Sequence, residues 1–486
     1  MEPQRSLTER AASSSWVAAE PGLAEAVARW ESDNGTRRLA LHDAAREASR
    51  PGPVGPARLG RHAVALGVSR TVRTITRLPG TVADLIGGGD PKVAARDMAI
   101  EGFVDQLALG GPASAEVARI IEGSGTLFPE MLRDELAGRS ITPASLMPTT
   151  ARSIVRRSVG AIEGLESAPF TSGPVSEVRH AKLPDGREID VRIRRPGVAS
   201  DLGHDLRMMA TLAAAGQRLA PDAGGMGMGP MGFVELIGRM ALEAVDLRFE
   251  ALDLVELAMI VEDLGLHGLA VARPIPDYAS ERVLATARVP GVPLDQFRGE
   301  LADPVSAITA VTAITLEAAL VYGTFWADPS VGHLSVDAEG GLTLNRAGVV
   351  GHLSPQLRTA GIMFLKSLFS GDAAGQVEAM RIAGAVPPGL DVDALIEELS
   401  SAKALEFSAI MMGGESGLLG AVNEAVRLML KHNLAPPVEV VLLLRTVFAV
   451  GLLSDRLVPD GGGFLVALMG LVPKLPTLLA SLSDEG

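Results

Sequence analysis

The chain of 486 residues carries 44 Lys+Arg against 58 Asp+Glu, a formal net charge of −14, with 47% hydrophobic residues and no cysteine. This composition is globular rather than disordered, and its acidity disfavours a general phosphate-backbone binder, which needs clustered cations. The missing thiols exclude disulfides, Fe–S clusters and thiolate zinc sites.

In chain order, residues 1–50 are polar and mixed and are expected to form a loosely attached helical arm. Met1-Glu2-Pro3-Gln4-Arg5 lacks an apolar h-region, so no secretory signal is expected. Pro51-Gly52-Pro53-Val54-Gly55-Pro56 reads as a linker. Leu59, Val64, Leu66, Val68, Val72, Ile75 and Leu78 then recur at near-helical spacing, with Arg58, Arg61, Arg70, Arg73 and Arg77 among them. The simpler reading is a helix with a solvated basic face, and the alternative is a basic amphipathic helix lying on anionic lipid. Strand patterns at 175–182 and 188–193 flank Leu183-Pro184-Asp185-Gly186, a hairpin signature. Helical patterns over 199–220 and 231–264 follow, separated by the glycine-rich Gly224-Gly225-Met226-Gly227-Met228-Gly229. That run follows no strand, so it is read as an interhelical linker rather than a phosphate loop. A second hairpin is expected over 270–276 and 282–289, then a helix over 302–323, and helical pattern from 355 to the end. The apolar stretches 307–321 and 440–453 are interrupted by Glu317 and Arg445. Neither reaches the roughly 18–20 uninterrupted residues of a spanning helix, so a soluble or peripheral protein is expected.

Four motifs carry a family resemblance. Leu183-Pro184-Asp185-Gly186-Arg187-Glu188-Ile189-Asp190-Val191-Arg192-Ile193-Arg194-Arg195-Pro196-Gly197-Val198 joins a turn, an alternating strand and an Arg-Pro-Gly-Val exit. Ser280-Glu281-Arg282-Val283-Leu284 with Gly291-Val292-Pro293-Leu294 marks the second hairpin and its exit. Ala327-Asp328-Pro329 with Gly332 and Leu334 comes next, then Gly348-Val349-Val350-Gly351-His352-Leu353-Ser354. Upstream, Gly110-Gly111 and Pro129-Glu130 frame one further segment. In this order, over about residues 90–455, the chain resembles the UbiB/AarF-type atypical kinases. The resemblance implies an α+β, helix-rich, bilobed protein-kinase-like fold with an N-terminal helical extension. The implied divisions are an arm at 1–50, a linker and basic helix at 51–90, the extension at 91–165, an N-lobe at 166–295, a C-lobe at 296–455 and a tail at 456–486.

The departures from the family pattern bear on chemistry. Kinases hold phosphates with a strand lysine paired to a helix glutamate, bind Mg²⁺ through an Asp and an Asn, and orient the acceptor with a loop Asp. By resemblance, Arg192 stands at the lysine position, Glu250 at the glutamate and Asp328 at the loop aspartate. His333 and Arg346 occupy the two metal positions, and Ala115-Glu116-Val117-Ala118 replaces the family's Lys-x-Gly-Gln. Thr171-Ser172-Gly173-Pro174-Val175-Ser176 stands at the nucleotide loop, and Ala244-Val245-Asp246 at the family's Glu-x-Asp. Mg²⁺ prefers oxygen ligands, whereas His333 offers nitrogen and Arg346 a fixed positive charge that repels a dication. Arg192 keeps the charge of lysine with a different fork geometry.

The expected arrangement is an Arg192–Glu250 structural ion pair, Asp328 as a relic base, and an Arg346–Asp328 pair tying the cleft shut. The competing reading has Arg346 standing in for the metal and binding phosphate. The expected function is a non-catalytic pseudokinase, inactive or strongly impaired in phosphoryl transfer. It would act as a binding, scaffold or regulatory protein linked to lipid or isoprenoid metabolism. Its partner would be a protein of that metabolism or the membrane surface, with no nucleic acid, at a cytoplasmic or peripheral membrane location. No cofactor is expected; ATP stays open and Mg²⁺ is doubtful. The alternatives are an active atypical kinase or ATPase with a rebuilt nucleotide site, and an apolar-ligand binder using the C-terminal helices.

Overall fold

The computed structural model of the chain describes residues 6–51, 112–122, 144–219, 229–405 and 431–458, with single positions such as Val104, Leu107, Leu136 and Lys474. The basic stretch 58–77, the glycine run 224–228, Gly110-Gly111, Pro129-Glu130 and most of the tail lie outside the described residues.

The N-terminal helices are bound to the body rather than loosely attached. Ser6 and Glu9 form a capping box on the Leu7–Ser13 helix, and Glu31 accepts hydrogen bonds from the Leu7 and Thr8 backbone nitrogens. The Leu23–Ala48 helix buries Leu23, Ala26, Val27 and Trp30, a narrow stripe at helical spacing. That stripe shares one core with Leu254, Val255 and Ala258 of the Leu247–Asp263 helix. The apolar part of the contact is a narrow stripe, two of its four buried positions being alanine or valine, so the segment's mean composition stayed polar and masked it.

Eleven short strands follow in chain order among the described residues: β1 (Thr171–Ser172), β2 (Ser176–Lys182), β3 (Glu188–Arg194), β4 (Ala270–Val271), β5 (Pro274–Ala279), β6 (Val283–Ala287), β7 (Val292–Pro293), β8 (Thr324–Trp326), β9 (Leu334–Val336), β10 (Leu342–Leu344) and β11 (Val350–His352). The N-lobe sheet runs β1-β2-β3-β6-β5, a second sheet runs β4-β10-β9-β7, and β11 pairs with β8. The expected first hairpin forms. Gly186 takes φ +88° at the turn, where an L side chain would be strained, and Asp185 accepts from the Arg187 backbone nitrogen. Ile189, Val191 and Ile193 are fully buried against Ala151 and Val155 of the Pro148–Val159 helix. The two-residue period of a strand therefore turns Asp190, Arg192 and Arg194 to the opposite face.

The second hairpin is shorter than expected. The stretch 270–276 divides: β4 pairs in parallel with β10, and β5 pairs with β6. Strand alternation does not name a partner, so one apolar run served two sheets. The stretch 231–264 likewise divides into Gly229–Glu243 and Leu247–Asp263, because Asp246 caps the second helix by accepting from Arg248 N. Arg194 donates to the Val245 carbonyl at 2.6 Å, which fastens β3 to this break. The helix from Pro304 passes through a π-turn at Ala313–Glu317 and ends at Val321. By length and composition Pro304–Val321 could cross a membrane despite Glu317, but 72% of it is buried inside the protein. The Val438–Leu457 helix closes the C-lobe and buries Val441, Phe448, Val450 and Leu453.

Truncating Leu23, which is 0% exposed, tests the attachment of the N-terminal helix. Leu23→Ala should lower unfolding free energy by about 2–5 kcal/mol in a denaturant titration. A loosely attached arm would give no change.

Candidate functional site

Two charge clusters meet where the lobes face each other. The upper one centres on Glu250, set in the first turn of the Asp246-capped helix and 4% exposed. Arg192 reaches it from β3, with Nε 3.4 Å from Glu250 Oε1, and its Nη2 donates to the Asn345 carbonyl at 3.2 Å. Arg346 Nε lies 4.0 Å from the same Oε1. Neither contact has hydrogen-bond geometry: Glu250 Oε1 and Arg346 Nε and Nη2 are buried without a hydrogen-bond partner. Burial pushes the Arg192 guanidinium below its ordinary pKa; Glu250 opposes this and Arg346 reinforces it.

The lower cluster centres on Asp328, which follows β8 and is 1% exposed. Arg119 Nη2 binds Asp328 Oδ2 at 2.8 Å and Arg445 Nη2 binds Oδ1 at 3.2 Å. Arg119 comes from the Pro112–Glu122 helix and is also held by Glu116 at 2.6 Å. Arg445 further donates to the Ala327 carbonyl at 2.9 Å. Burial would raise the Asp328 carboxyl, but Arg119 foremost, with Arg445, holds it far below the usual carboxylate range. His333 Nδ1 hydrogen-bonds the Asp328 carbonyl at 2.9 Å. Burial, with Arg346 and Arg119 nearby, pushes the imidazole well below its ordinary pKa against the pull of Asp328, so it is neutral at pH 7. Gly348, at φ +67°, presses on this loop: a Cβ there would stand 2.6 Å from His333 Cε1 and 2.9 Å from Asp328 Oδ2. Trp326 Nε1 donates to the Ala347 carbonyl at 2.7 Å and packs the same turn.

The expected Arg346–Asp328 pair does not form. Both carboxylate oxygens of Asp328 are taken by arginines from two other helices, and Arg346 turns to Glu250 instead. The Arg192–Glu250 contact is present by distance. The loop at the nucleotide position is held by Arg195, which donates to Gly173 O at 2.9 Å, Ser172 Oγ at 2.7 Å and Ala144 O at 2.7 Å.

Sequence reasoning did not name Arg119 or Arg445 as site residues. Arg445 had left a trace, as the one charge interrupting the apolar run 440–453; a charge on a buried helix face needs a partner. Arg119 had the weaker trace of standing three residues after Glu116, one helical turn on. A further group joins the Leu23–Ala48 helix to the back of the Glu250 helix. Arg38 Nη2 binds Asp253 Oδ1 at 2.8 Å, His42 Nε2 lies 2.8 Å from Glu243 Oε1, and His352 Nε2 lies 3.4 Å from Glu256 Oε2.

A divalent metal does not fit these residues. Mg²⁺ needs free oxygen ligands. Asp328 has both oxygens engaged by guanidiniums, His333 presents a ring already hydrogen-bonded to backbone, and Arg346 places a cation at the remaining position.

Residues 161–380 match the ABC1 atypical kinase-like domain. An uncharacterized chloroplastic aarF domain-containing protein kinase of Arabidopsis thaliana is 25% identical over 299 residues, covering 60% of this chain and 55% of that protein. A probable protein kinase UbiB of Sodalis glossinidius is 26% identical over 190 residues, 38% of this chain and 34% of that protein. A solved complex of a Mycobacterium tuberculosis protein with erythromycin aligns over 80% of this chain and 94% of that one, at 16% identity and a TM-score of 0.42. The fold and the domain match define an atypical kinase-like protein. Over this domain the chain is similar to the UbiB/AarF-type atypical kinases. Its sequence matches span 34–55% of the length of the two relatives named.

Asp328→Asn should destabilise the fold by about 3–5 kcal/mol at pH 7, because two arginines lose their shared carboxylate. The sign with pH follows from its depressed pKa. The stabilisation is present above the unfolded value of about 4 and is lost as pH falls through the lower folded value. The gap between wild type and D328N, read by denaturation at several pH values, should narrow below about pH 4.

Proposed function

We propose that this chain is a non-catalytic member of the UbiB/AarF family, a pseudokinase acting as a binding, scaffold or regulatory protein. The observation that carries the reading is the engagement of both Asp328 oxygens by Arg119 and Arg445. A catalytic-loop aspartate must offer an oxygen to the acceptor hydroxyl. Here that oxygen is a structural acceptor, and its carboxyl is held far below the usual range, which makes it a poor base. The metal positions support the same reading, since Arg346 and His333 replace oxygen ligands with a cation and a neutral imidazole. The family resemblance directs the partner toward lipid or isoprenoid metabolism, as a protein of that metabolism or a membrane surface, on the cytoplasmic side.

Purified protein should show no Mg²⁺-dependent ATP turnover above buffer, and D328N should leave that baseline unchanged. Wild-type turnover that disappears in D328N protein shown by thermal unfolding to be folded at the assay temperature would overturn the reading. Contact with anionic vesicles, measured by flotation, should weaken at high salt if surface charge drives it; salt-resistant flotation would assign it to apolar surface instead.

A further inference from the structure

We infer that the joint between the Leu23–Ala48 helix, the Leu247–Asp263 helix and β11 is a proton-dependent clamp, tight when its acids and imidazoles carry protons and slack when they lose them. It lies behind the cleft, so its operation is independent of any chemistry there.

Three carboxylates meet on one guanidinium in this joint. Arg38 Nη2 binds Asp253 Oδ1 at 2.8 Å, Arg38 Nε lies 3.8 Å from Glu243 Oε1, and Glu256 adds its field at Asp253. Two imidazoles complete the group. His42 Nε2 is 2.8 Å from Glu243 Oε1, and His352 Nε2 is 3.4 Å from Glu256 Oε2. With neutral imidazoles and ionised acids, three negative charges face one positive charge. With both imidazoles protonated, three face three. The neighbouring ion pairs of these helices lie away from the group and are closed in themselves: Arg46 with Glu235 at 3.6 Å, and Arg10 with Asp263 at 2.9 Å. Asp253 is 1% exposed, and a buried excess of like charge is relieved by taking up protons.

The position of His352 makes the joint a switch. Its Nε2 stands 3.4 Å from Arg38 Nη1, a donor, and 3.4 Å from Glu256 Oε2, an acceptor. One nitrogen cannot serve both. Without a proton it accepts from Arg38; with one it donates to Glu256 and turns the guanidinium away. The side chain is 38% exposed, so the proton comes from solvent. Protonated His352 therefore ties β11 to the helix that carries Glu250 and leaves Arg38 to Asp253 and Glu243. Arg38 Nε and Glu243 Oε2 are both buried without a hydrogen-bond partner, and a closer Arg38–Glu243 contact would satisfy them. Deprotonated His352 draws Arg38 off its carboxylates and gives Glu256 no donor.

The sign with pH follows. Burial holds the Asp253 carboxyl up at about 7 against the pull of Arg38, above an unfolded value of about 4. Its contribution to the joint is thus fully present below about pH 4 and is lost as pH rises through about 7. Burial would raise Glu256 as well, but His352, with Thr324, holds it at about 2. The Glu256 contribution is present above an unfolded value of about 4 and fades only toward pH 2. The clamp is tight at mildly acid pH and slackens toward about pH 8.

Hydrogen exchange of the full chain, read by mass spectrometry as protection factors, tests this. Amides of residues 34–48 should be about tenfold more protected at about pH 6 than at about pH 8.5, the ratio that linkage gives for one group titrating near pH 7. Those of the Pro355–Ser370 helix should not change. Asp253→Asn should keep the high protection at both pH values, because the excess charge is gone. His352→Gln, whose amide can donate to Glu256 and accept from Arg38 without titrating, should reduce the ratio in protein shown by thermal unfolding to be folded. Wild-type protection that does not fall with pH, or that falls equally in Pro355–Ser370, overturns the inference. So does a full pH dependence retained in both variants. Should D253N fail to fold, H352Q decides alone, and a ratio equal to that of wild type overturns the switch.

Discussion

The Asp328 carboxylate, buried between two guanidiniums, is the interaction on which the arrangement of this protein depends. Taking a carboxylate and an arginine out of water costs several kcal/mol per ion, repaid only by close geometry and full hydrogen bonding. The three groups come from three distant parts of the chain: the helix at 112–122, the loop after β8, and the helix at 438–457. None can leave without stranding the others. The helices at 112–122 and 438–457 are thus fastened to the loop after β8 by one shared carboxylate.

The upper cluster obeys the opposite economy. Three of its buried polar atoms make no hydrogen bond. In the lower cluster Arg119 and Arg445 meet Glu116 and Asp328, two charges against two, at distances of 2.6–3.2 Å. The two clusters differ in contact distance: the lower is closed at hydrogen-bond range, although Glu116 Oε2 is also buried without a partner, and the upper contacts are longer. Native proteins keep such unsatisfied groups where strain or binding gives them a use.

Behind the Glu250 helix, the N-terminal helix supplies a second clamp. Arg38 engages Asp253 and Glu243 and lies over the Phe249 ring. Burial pushes the Asp253 carboxyl up to about 7 against the pull of Arg38. Glu256, hydrogen-bonded by His352 and Thr324, is held at about 2 in spite of its burial. The position of Glu250 is thus set from both ends, by the Asp246 cap in front and by this group behind. A segment that composition marks as peripheral takes part in aligning the cleft.

The sequence by itself determined the local pieces. The Pro-Asp-Gly turn, the alternation of β3 that turns Arg192 to the cleft, and the residues at the family's metal positions were all legible, because each depends on neighbours a few residues away. The resemblance then supplied the lobes and the pairing of Arg192 with Glu250. Tertiary structure alone decided which arginine meets which carboxylate. Four guanidiniums, those of Arg119, Arg192, Arg346 and Arg445, converge on two carboxylates. Charge has no sequence register, and the resemblance, which puts Arg346 and Asp328 in one cleft, suggested that pair. The fold brought Arg119 and Arg445 there instead, from 209 and 117 residues away, because helices packed on a shared core present their side chains wherever the core places them.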